Sequence, residues 1–362
     1  MVGGGPVGLV TAIHAAMAGK SVVVIERGQA AVDKACGEGV MPPGLAHLRR
    51  LGVEIPESGS HPFKGIRYRD GEVVAEADFL EGPGLGIRRL VLSEQLRNRA
   101  ISLGVDLRAG VEALEFTETG EDVALMTTRG AVRGRWLVAA DGLHSQVRKW
   151  AEIPTKVGPG RRLGIRRHFA VRPWSDHVEV WWADGVEAYV TPVGPEQVGV
   201  AFLWSGARGN YELFLERFPE LAARLQLPSS GIRGAGPFDV QVEKRRKGRV
   251  LLVGDAAGYV DAITGEGLNL GFEAAEALVR CTLAGRPDDY EGAWQAVYRR
   301  HRRLTRLLLW VANRPWLRRR VVRALAASPL GFQGFLGLNS GFIPFYSALP
   351  TFGRVGLGLL RG

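Results

Sequence analysis

Apolar runs and patterned segments follow one another along the chain. Residues 9–19 carry apolar and small side chains at helical spacing. Residues 21–26 are an apolar run closed by Glu26, the pattern of a strand buried in a parallel sheet. Before both stands Val2-Gly3-Gly4-Gly5-Pro6-Val7-Gly8, so the chain opens as turn, helix, strand. Alternation predicts strands near 66–68 and 73–77, a helix over 90–103, and strands at 123–128 and 136–140. Residues 164–171, 178–182, 188–192 and 198–204 read as one antiparallel sheet with Pro/Gly turns. Residues 211–225 predict a single amphipathic helix, 249–254 a further apolar strand, and 266–282 a helix. Beyond 291 the pattern is helical and arginine-rich, with a break at Pro315. Over 324–353 it becomes apolar and irregular. There is no internal repeat and no low-complexity segment.

Strands between helices, with an antiparallel sheet inserted, predict an α/β fold with α+β elements. A Rossmann-like domain would be assembled from residues 1–60, 87–160 and 249–290. A substrate-binding sheet domain would take 61–86 and 161–248, and a helical C-terminal region 291–362. The length of 362 residues, with 46% hydrophobic and 23% charged residues, allows an ample core and excludes wholesale disorder. The formal charge of +10 is uneven. Residues 292–362 hold 12 of the 47 Lys+Arg and no acid, which leaves the first 291 residues at a net −2. A protein basic over its whole surface is excluded. Cys36 and Cys281 are too few for a disulfide scaffold and fit a reducing cytoplasm. No Cys/His cluster has zinc spacing, so no metal is expected. The 324–353 stretch holds Pro329, Pro344 and Pro350, too many breakers for a spanning helix.

Gly3, Gly5 and Gly8 form G-x-G-x-x-G. The first permits a tight turn, the second lets backbone approach a pyrophosphate, and the third lets helix and strand pack closely. Pro6 suits a first helical turn, where its missing N–H costs nothing. Free N–H groups and the helix dipole would hold the diphosphate. Glu26, 23 residues after Gly3, stands where an acid accepts from ribose hydroxyls. This unit binds a dinucleotide without choosing between FAD and NAD. Only Met1 and Val2 precede the glycines, whereas such a first strand usually runs about five or six residues. The expectation is a natural start upstream, or a truncated strand.

Two further segments narrow the choice. Leu137-Val138-Ala139-Ala140-Asp141-Gly142 leads into Ser145 and Arg148. Val250-Leu251-Leu252-Val253-Gly254-Asp255 leads through Ala256-Ala257-Gly258 to Thr264-Gly265-Glu266-Gly267-Leu268-Asn269. With the glycine loop they resemble flavoprotein monooxygenases of the para-hydroxybenzoate hydroxylase type and their geranylgeranyl-reductase relatives, over most of residues 1–290. The resemblance implies a resident FAD and a visiting NADPH or NADH. There is no second G-x-G-x-x-G for a second dinucleotide. Gly3, Gly5, Pro6, Gly8, Glu26 and the adjacent Arg27 would hold the ADP half. Arg89 would lie near the diphosphate, Asp141 near FAD and the nicotinamide path, and Asp255 at the ribityl chain. Gly265, Gly267, Leu268 and Asn269 would line the isoalloxazine ring. The N-terminus of the 266–282 helix would face the negative charge of reduced flavin near N1. Cys36 would sit near the flavin, or simply pack a loop. Cys281 and His14 are read as structural.

Many hydroxylases of this type have a proline near the position of Ala262 and a histidine at that of Gly258. Residues 254–267 and Lys34-Ala35-Cys36-Gly37-Glu38-Gly39 instead resemble the reductase branch. Residues 187–201 look like a weakened form of that branch's aromatic-proline strand. Tyr189 is the candidate catalytic residue, as hydrogen-bond or proton donor, against a plain sheet tyrosine. His168, Glu179, Trp181 and Trp182 are candidate lining residues, with packing the competing reading. The expected activity is NAD(P)H- and O₂-dependent hydroxylation of a phenolic or lipophilic substrate of alkylresorcinol or polyketide type. Alternatives are reduction of isoprenoid double bonds, halogenation (its Trp-x-Trp-x-Ile-Pro motif being absent), or a non-catalytic flavin protein at a membrane. The arginine-rich region 292–362 fits either a solvated helix face or a peripheral contact with an anionic membrane. No nucleic-acid motif is present. A cytoplasmic monomer or homodimer, at most peripheral at the inner membrane face, is expected.

Overall fold

A computed structural model describes residues 1–29, 31, 33–206 and 209–342. The opening turn, helix and strand fold as the pattern predicts. Gly5 precedes the helix Pro6–Met17, which is buried from Pro6 to Ile13 apart from Val7. The strand Val23–Glu26 pairs in parallel with Asp106–Ala109, and Leu137–Ala139 with Val250–Leu252. Val2 joins the two pairs through parallel bridges to Ile25 and Ala139. The helices Arg89–Ser102 and Gly267–Leu283 pack beside Pro6–Met17 on this layer. Its core includes Leu9, Ile25, Leu96, Leu251 and Phe272, all at or near zero exposure.

The second sheet has seven strands. Their spatial order is Arg233–Ala235, Arg162–Phe169, Gln197–Ser205, Val186–Gly194, His177–Ala183, Gly65–Asp70, Val73–Asp78. The four segments read as one antiparallel sheet do lie together. However, His177–Ala183 runs parallel to Gly65–Asp70. That pairing joins strands far apart in sequence, and parallel neighbours require a long crossover.

Two expectations are corrected. Residues 211–225 do not form one helix. They form Tyr211–Leu215 and Pro219–Ala222, because Phe218 leaves the helical region at φ −130° and Pro219 can only begin a new turn. The segment from 324 is not irregular at its start, since Pro329–Ser340 is helical and capped by Ser328, whose Oγ accepts from Gly331 N. The proline that suggested irregularity occupies the first helical position, where it is tolerated. Residues 343–353 of that segment lie outside the described residues. Pro315 does divide the basic region, into Asp289–Ala312 and Pro315–Ala326.

The C-terminal helices are fastened to the body. Tyr290, Trp294 and Tyr298 enter the core of the parallel layer. Val322, Leu325, Phe332 and Leu336 pack on Ile66, Ala75, Ala77, Val178 and Val180. Arg318 is buried, and its Nε and Nη2 donate to the Asp70 carboxylate at 2.8 and 3.3 Å. Among the described residues no single helix is long and apolar enough to cross a membrane.

Candidate functional site

Each glycine of the opening loop has a distinct steric reason. A side chain at Gly3, held at φ +106°, would stand 2.3 Å from the Ala140 carbonyl oxygen. One at Gly8 would stand 2.2 Å from the Gly3 carbonyl oxygen, where helix and strand close on each other. Gly5 faces open space instead, with Arg89 Nη2 nearest at 3.7 Å. No side chain caps the helix Pro6–Met17, so its first-turn N–H groups are free for a ligand. An open, donor-rich turn beside a guanidinium is what a diphosphate requires. Glu26 ends its strand with Oε2 accepting from Gly4 N at 2.7 Å and Oε1 from Gly28 N at 2.8 Å. It thereby shapes the loop and keeps lone pairs for hydroxyl donors. Arg27 beside it is exposed.

The structure brings Arg89, Cys36 and Asp255 to the same cleft. Arg89 N donates to Glu38 Oε1 at 2.8 Å, while its Nε is buried without a partner. Asp255 lies on the single turn Gly254–Ala257. It touches solvent but is crowded by protein, and this desolvation pushes its carboxyl up against the pull of Arg89 and Lys34. The Cys36 Sγ accepts from Glu38 N at 3.4 Å, and burial pushes the thiol up despite Arg89. A thiol so held is a packing group rather than a nucleophile. Asp141 Oδ2 accepts from Gln146 N at 2.7 Å and Val147 N at 3.1 Å, leaving Oδ1 buried and unpartnered. Arg148 then ties two loops together, donating to the carbonyls of Leu143 at 2.9 Å and Ala256 at 2.8 Å.

Gly265, at φ +70°, is exposed on the loop before Gly267–Leu283, whose N-terminus no side chain caps. Gly267 and Leu268 are half-buried there. Asn269, three residues past the N-cap, is 5% exposed, and its Oδ1 faces the helix Pro42–Arg50, where a side chain at Gly44 would meet it at 1.8 Å.

Tyr189 is half-buried, its hydroxyl 3.0 Å from Glu187 Oε2 and 3.1 Å from the Ile263 carbonyl oxygen. It donates to an acceptor of its own fold, and burial raises the phenol well above its ordinary value. It keeps its proton at neutral pH and ties the strand Val186–Gly194 to the loop at Ile263. His168, Glu179 and Trp181 are buried in polar or packing contacts, and Trp182 meets Tyr68 edge-on at 5.8 Å.

The pattern missed two buried ionic groups. Arg166 Nη2 donates to Asp33 Oδ1 at 2.5 Å and Nη1 to His168 Nδ1 at 2.9 Å. That fixes Nε2 as the protonated nitrogen of His168, donating to Glu38 Oε2 at 2.5 Å. Nearby, Arg162 donates to Asp261 Oδ2 at 2.9 Å and Glu187 Oε2 at 3.2 Å. Burial pushes both of those carboxyls up and Arg162 draws them down. A signal existed: Arg162, Arg166 and His168 fall on alternate positions of one strand.

The residues present fit a flavin dinucleotide: a glycine turn open only at Gly5, unpartnered Arg89 Nε and Asp141 Oδ1, and two uncapped helix N-termini. The sequence also matches the FAD-binding domain family over residues 1–202 and 221–284. The chain belongs to that family. This flavoprotein is 27% identical to menaquinone reductase of Mycolicibacterium smegmatis over 329 residues, 83% of this chain and 80% of that protein. It is 26% identical to digeranylgeranylglycerophospholipid reductase 1 of Methanopyrus kandleri over 341 residues, 83% of this chain and 86% of that one. Its fold is shared with the anhydrotetracycline hydroxylase of Streptomyces rimosus at TM-score 0.72 and 24% identity, covering 94% of this chain and 75% of that one. It is an FAD-dependent oxidoreductase.

Proposed function

We propose that this flavoprotein reduces a carbon–carbon double bond in a long isoprenoid chain carried by a lipid or a quinone. One observation carries the reading: the Gly265 loop abuts an apolar, aromatic wall. Met41 Cε lies 3.0 Å from where a side chain at Gly265 would begin. Met41 belongs to the cluster of Phe63, Phe332 and Leu336, flanked by Tyr68, Trp182 and Phe335. Such an apolar cluster beside the loop suits an alkene. The names of the two reductases above support the same substrate class.

When bound, FAD supplies the hydride, and a visiting NADPH or NADH restores it. The chain's own part is positional. Arg89 and the glycine turn would hold the diphosphate, Asp255 would accept from the ribityl hydroxyls, and the uncapped N-terminus at Gly267 would offer N–H donors to the negative charge of the reduced flavin. Asp141 stands beside the path of the nicotinamide. A second reading, hydroxylation of a phenolic, alkyl-chained substrate with O₂, draws on the shared hydroxylase fold and on Tyr68, a neutral phenol beside the same wall.

The substrate class also favours access from a lipid surface. Leu307, Trp310, Trp316, Leu330 and Phe342 are exposed among arginines of the C-terminal helices. Reduced flavoprotein mixed anaerobically with polyprenyl quinones and unsaturated prenyl lipids distinguishes the readings. Flavin reoxidation with a saturated product supports the reductase. Reoxidation that occurs only with O₂ and an alkylphenol replaces it with the hydroxylase. Salt-sensitive co-sedimentation with anionic vesicles, lost on Trp310→Ala/Trp316→Ala, tests the surface.

A further inference from the structure

One buried acid has no part in the scheme above. Glu266 immediately precedes the helix Gly267–Leu283 and is 5% exposed. Its Oε2 accepts from Asn269 Nδ2 at 2.5 Å and its Oε1 from Asn339 Nδ2 at 3.3 Å. Among the described residues it has no ion-pair partner. The charges that face it are Glu273 on its own helix, Glu81 from the loop after Val73–Asp78, and Arg300 from Asp289–Ala312. Burial, reinforced by Glu273 and Glu81, pushes its carboxyl up to about 8 against Asn269 and Arg300, so it is an uncharged acid at neutral pH.

The surroundings suit a proton carrier. Asn269 Oδ1, Asn339 Oδ1, Thr264 Oγ1 and Glu81 Oε2 are buried without partners, a concentration of polar atoms that water or a mobile proton would satisfy. Glu81 Oε1 accepts from Ser340 Oγ at 2.7 Å, next to Asn339, so a polar file runs away from Glu266. On the other side are Gly265, on the exposed loop, and Met41 at the edge of the aromatic wall. Phe332 and Leu336 of that wall share the helix Pro329–Ser340 with Asn339. The acid therefore stands where the flavin-facing loop, the apolar wall and a polar file meet.

We propose that Glu266 is the proton donor of the reductive step, which rests on the reductase reading. The substrate double bond accepts a hydride from reduced flavin at one carbon. Its π pair moves to the second carbon, which takes the proton from the Glu266 hydroxyl. Two C–H bonds form, the flavin is left oxidised, and Glu266 is left as a carboxylate. Solvent returns its proton along Glu81 and Ser340, and a nicotinamide donor returns the two electrons. A neutral acid at this point also leaves the positive end of the helix dipole unopposed at Gly267.

The test uses flavin-loaded wild-type protein, Glu266→Gln and Glu266→Asp. Infrared spectroscopy of wild type should show a protonated carboxyl band that shifts in D₂O and vanishes as pH rises through about 8. The band should be absent from Glu266→Gln. Anaerobic reoxidation of reduced flavin by the prenyl substrate should slow about 100-fold or more in Glu266→Gln and recover in part in Glu266→Asp. The wild-type rate should fall above the pH at which the band vanishes. Equal rates in wild type and Glu266→Gln, or a carboxylate signal already at pH 6, would overturn the proposal while leaving the reductase reading. If no prenyl substrate reoxidises even wild type, the reductase reading falls and the donor role falls with it.

Discussion

Along the strands Arg162–Phe169, Val186–Gly194 and Gln197–Ser205, the two faces of the seven-stranded sheet solve the same problem in opposite ways. One face carries Phe169, Val190, Val200, Phe202 and Trp204, covered by Tyr211, Phe218 and Leu221. The other carries Arg162, Arg166, His168, Glu187 and Tyr189 on the same strands, buried or half-buried, and held by directed hydrogen bonds. The apolar face is indifferent to detail, because burial rewards area and not direction. The polar face accepts one arrangement only. Its partners, Asp33, Glu38 and Asp261, lie in loops that would border a bound flavin. Each loop is therefore aimed by charges on a rigid sheet, a use of buried ions for position rather than for net stability.

The largest break in this contrast is Arg166→Met. It leaves Asp33 and Glu38 short of a buried cation and should cost about 3–5 kcal/mol. It should also lower FAD affinity more than tenfold, read by denaturant titration and by flavin retained on gel filtration. Phe202→Ala on the opposite face should cost a similar 3–5 kcal/mol. The same two measurements should show FAD affinity within twofold of wild type, and a comparable loss of flavin would refute the division of labour.

Glu266 gives a third, pH-dependent contrast. Its carboxyl sits at about 8 in the fold and at 4.5 when unfolded. The folded form thus keeps a proton that the unfolded chain releases. Its contribution is complete below pH 4.5 and is lost as pH rises through 8. Glu266→Gln should flatten the stability–pH curve in that window by roughly 5 kcal/mol. Arg89→Ala should weaken FAD by about 2 kcal/mol with little change in the apoprotein, read by fluorescence titration. Tyr189→Phe should be mildest, about 1 kcal/mol of stability, because one neutral hydrogen bond is lost. A kcat collapse with that variant would restore Tyr189 as a chemical participant.

Local signals made much of this legible. Gly3, Gly5 and Gly8 are readable because their spacing within one turn is itself the signal, although the side chain that would clash at Gly3 meets Ala140, far along the chain. The opening helix, the strand to Glu26, and the strands of the sheet are readable because one period dominates each. Proline was readable as a break at 315, passed over at 219, where it divides the predicted helix, and misread at 329, where the ring begins a helix instead of ending order. The contact of Asn269 with Gly44 was not legible, because sequence position gives a helix face only when the neighbour across it is known, and that neighbour lies on a distant helix.

The sequence by itself determined a dinucleotide turn, an α/β layer with an inserted sheet, and a charge excess confined to the last 71 residues. Tertiary structure alone decided what the charges do. Arg318 is a buried clamp on Asp70 although it reads as one more arginine of a basic helix. Arg166 and His168 join Glu38 across more than 100 positions of chain. Glu266 is pushed towards an uncharged acid only because folding buries it and brings Glu273 and Glu81 near it. The physical reason is common to all three. Hydrophobic pattern and turn chemistry act over short stretches of chain, whereas desolvation and ion pairing are set by whichever residues folding brings within a few ångströms.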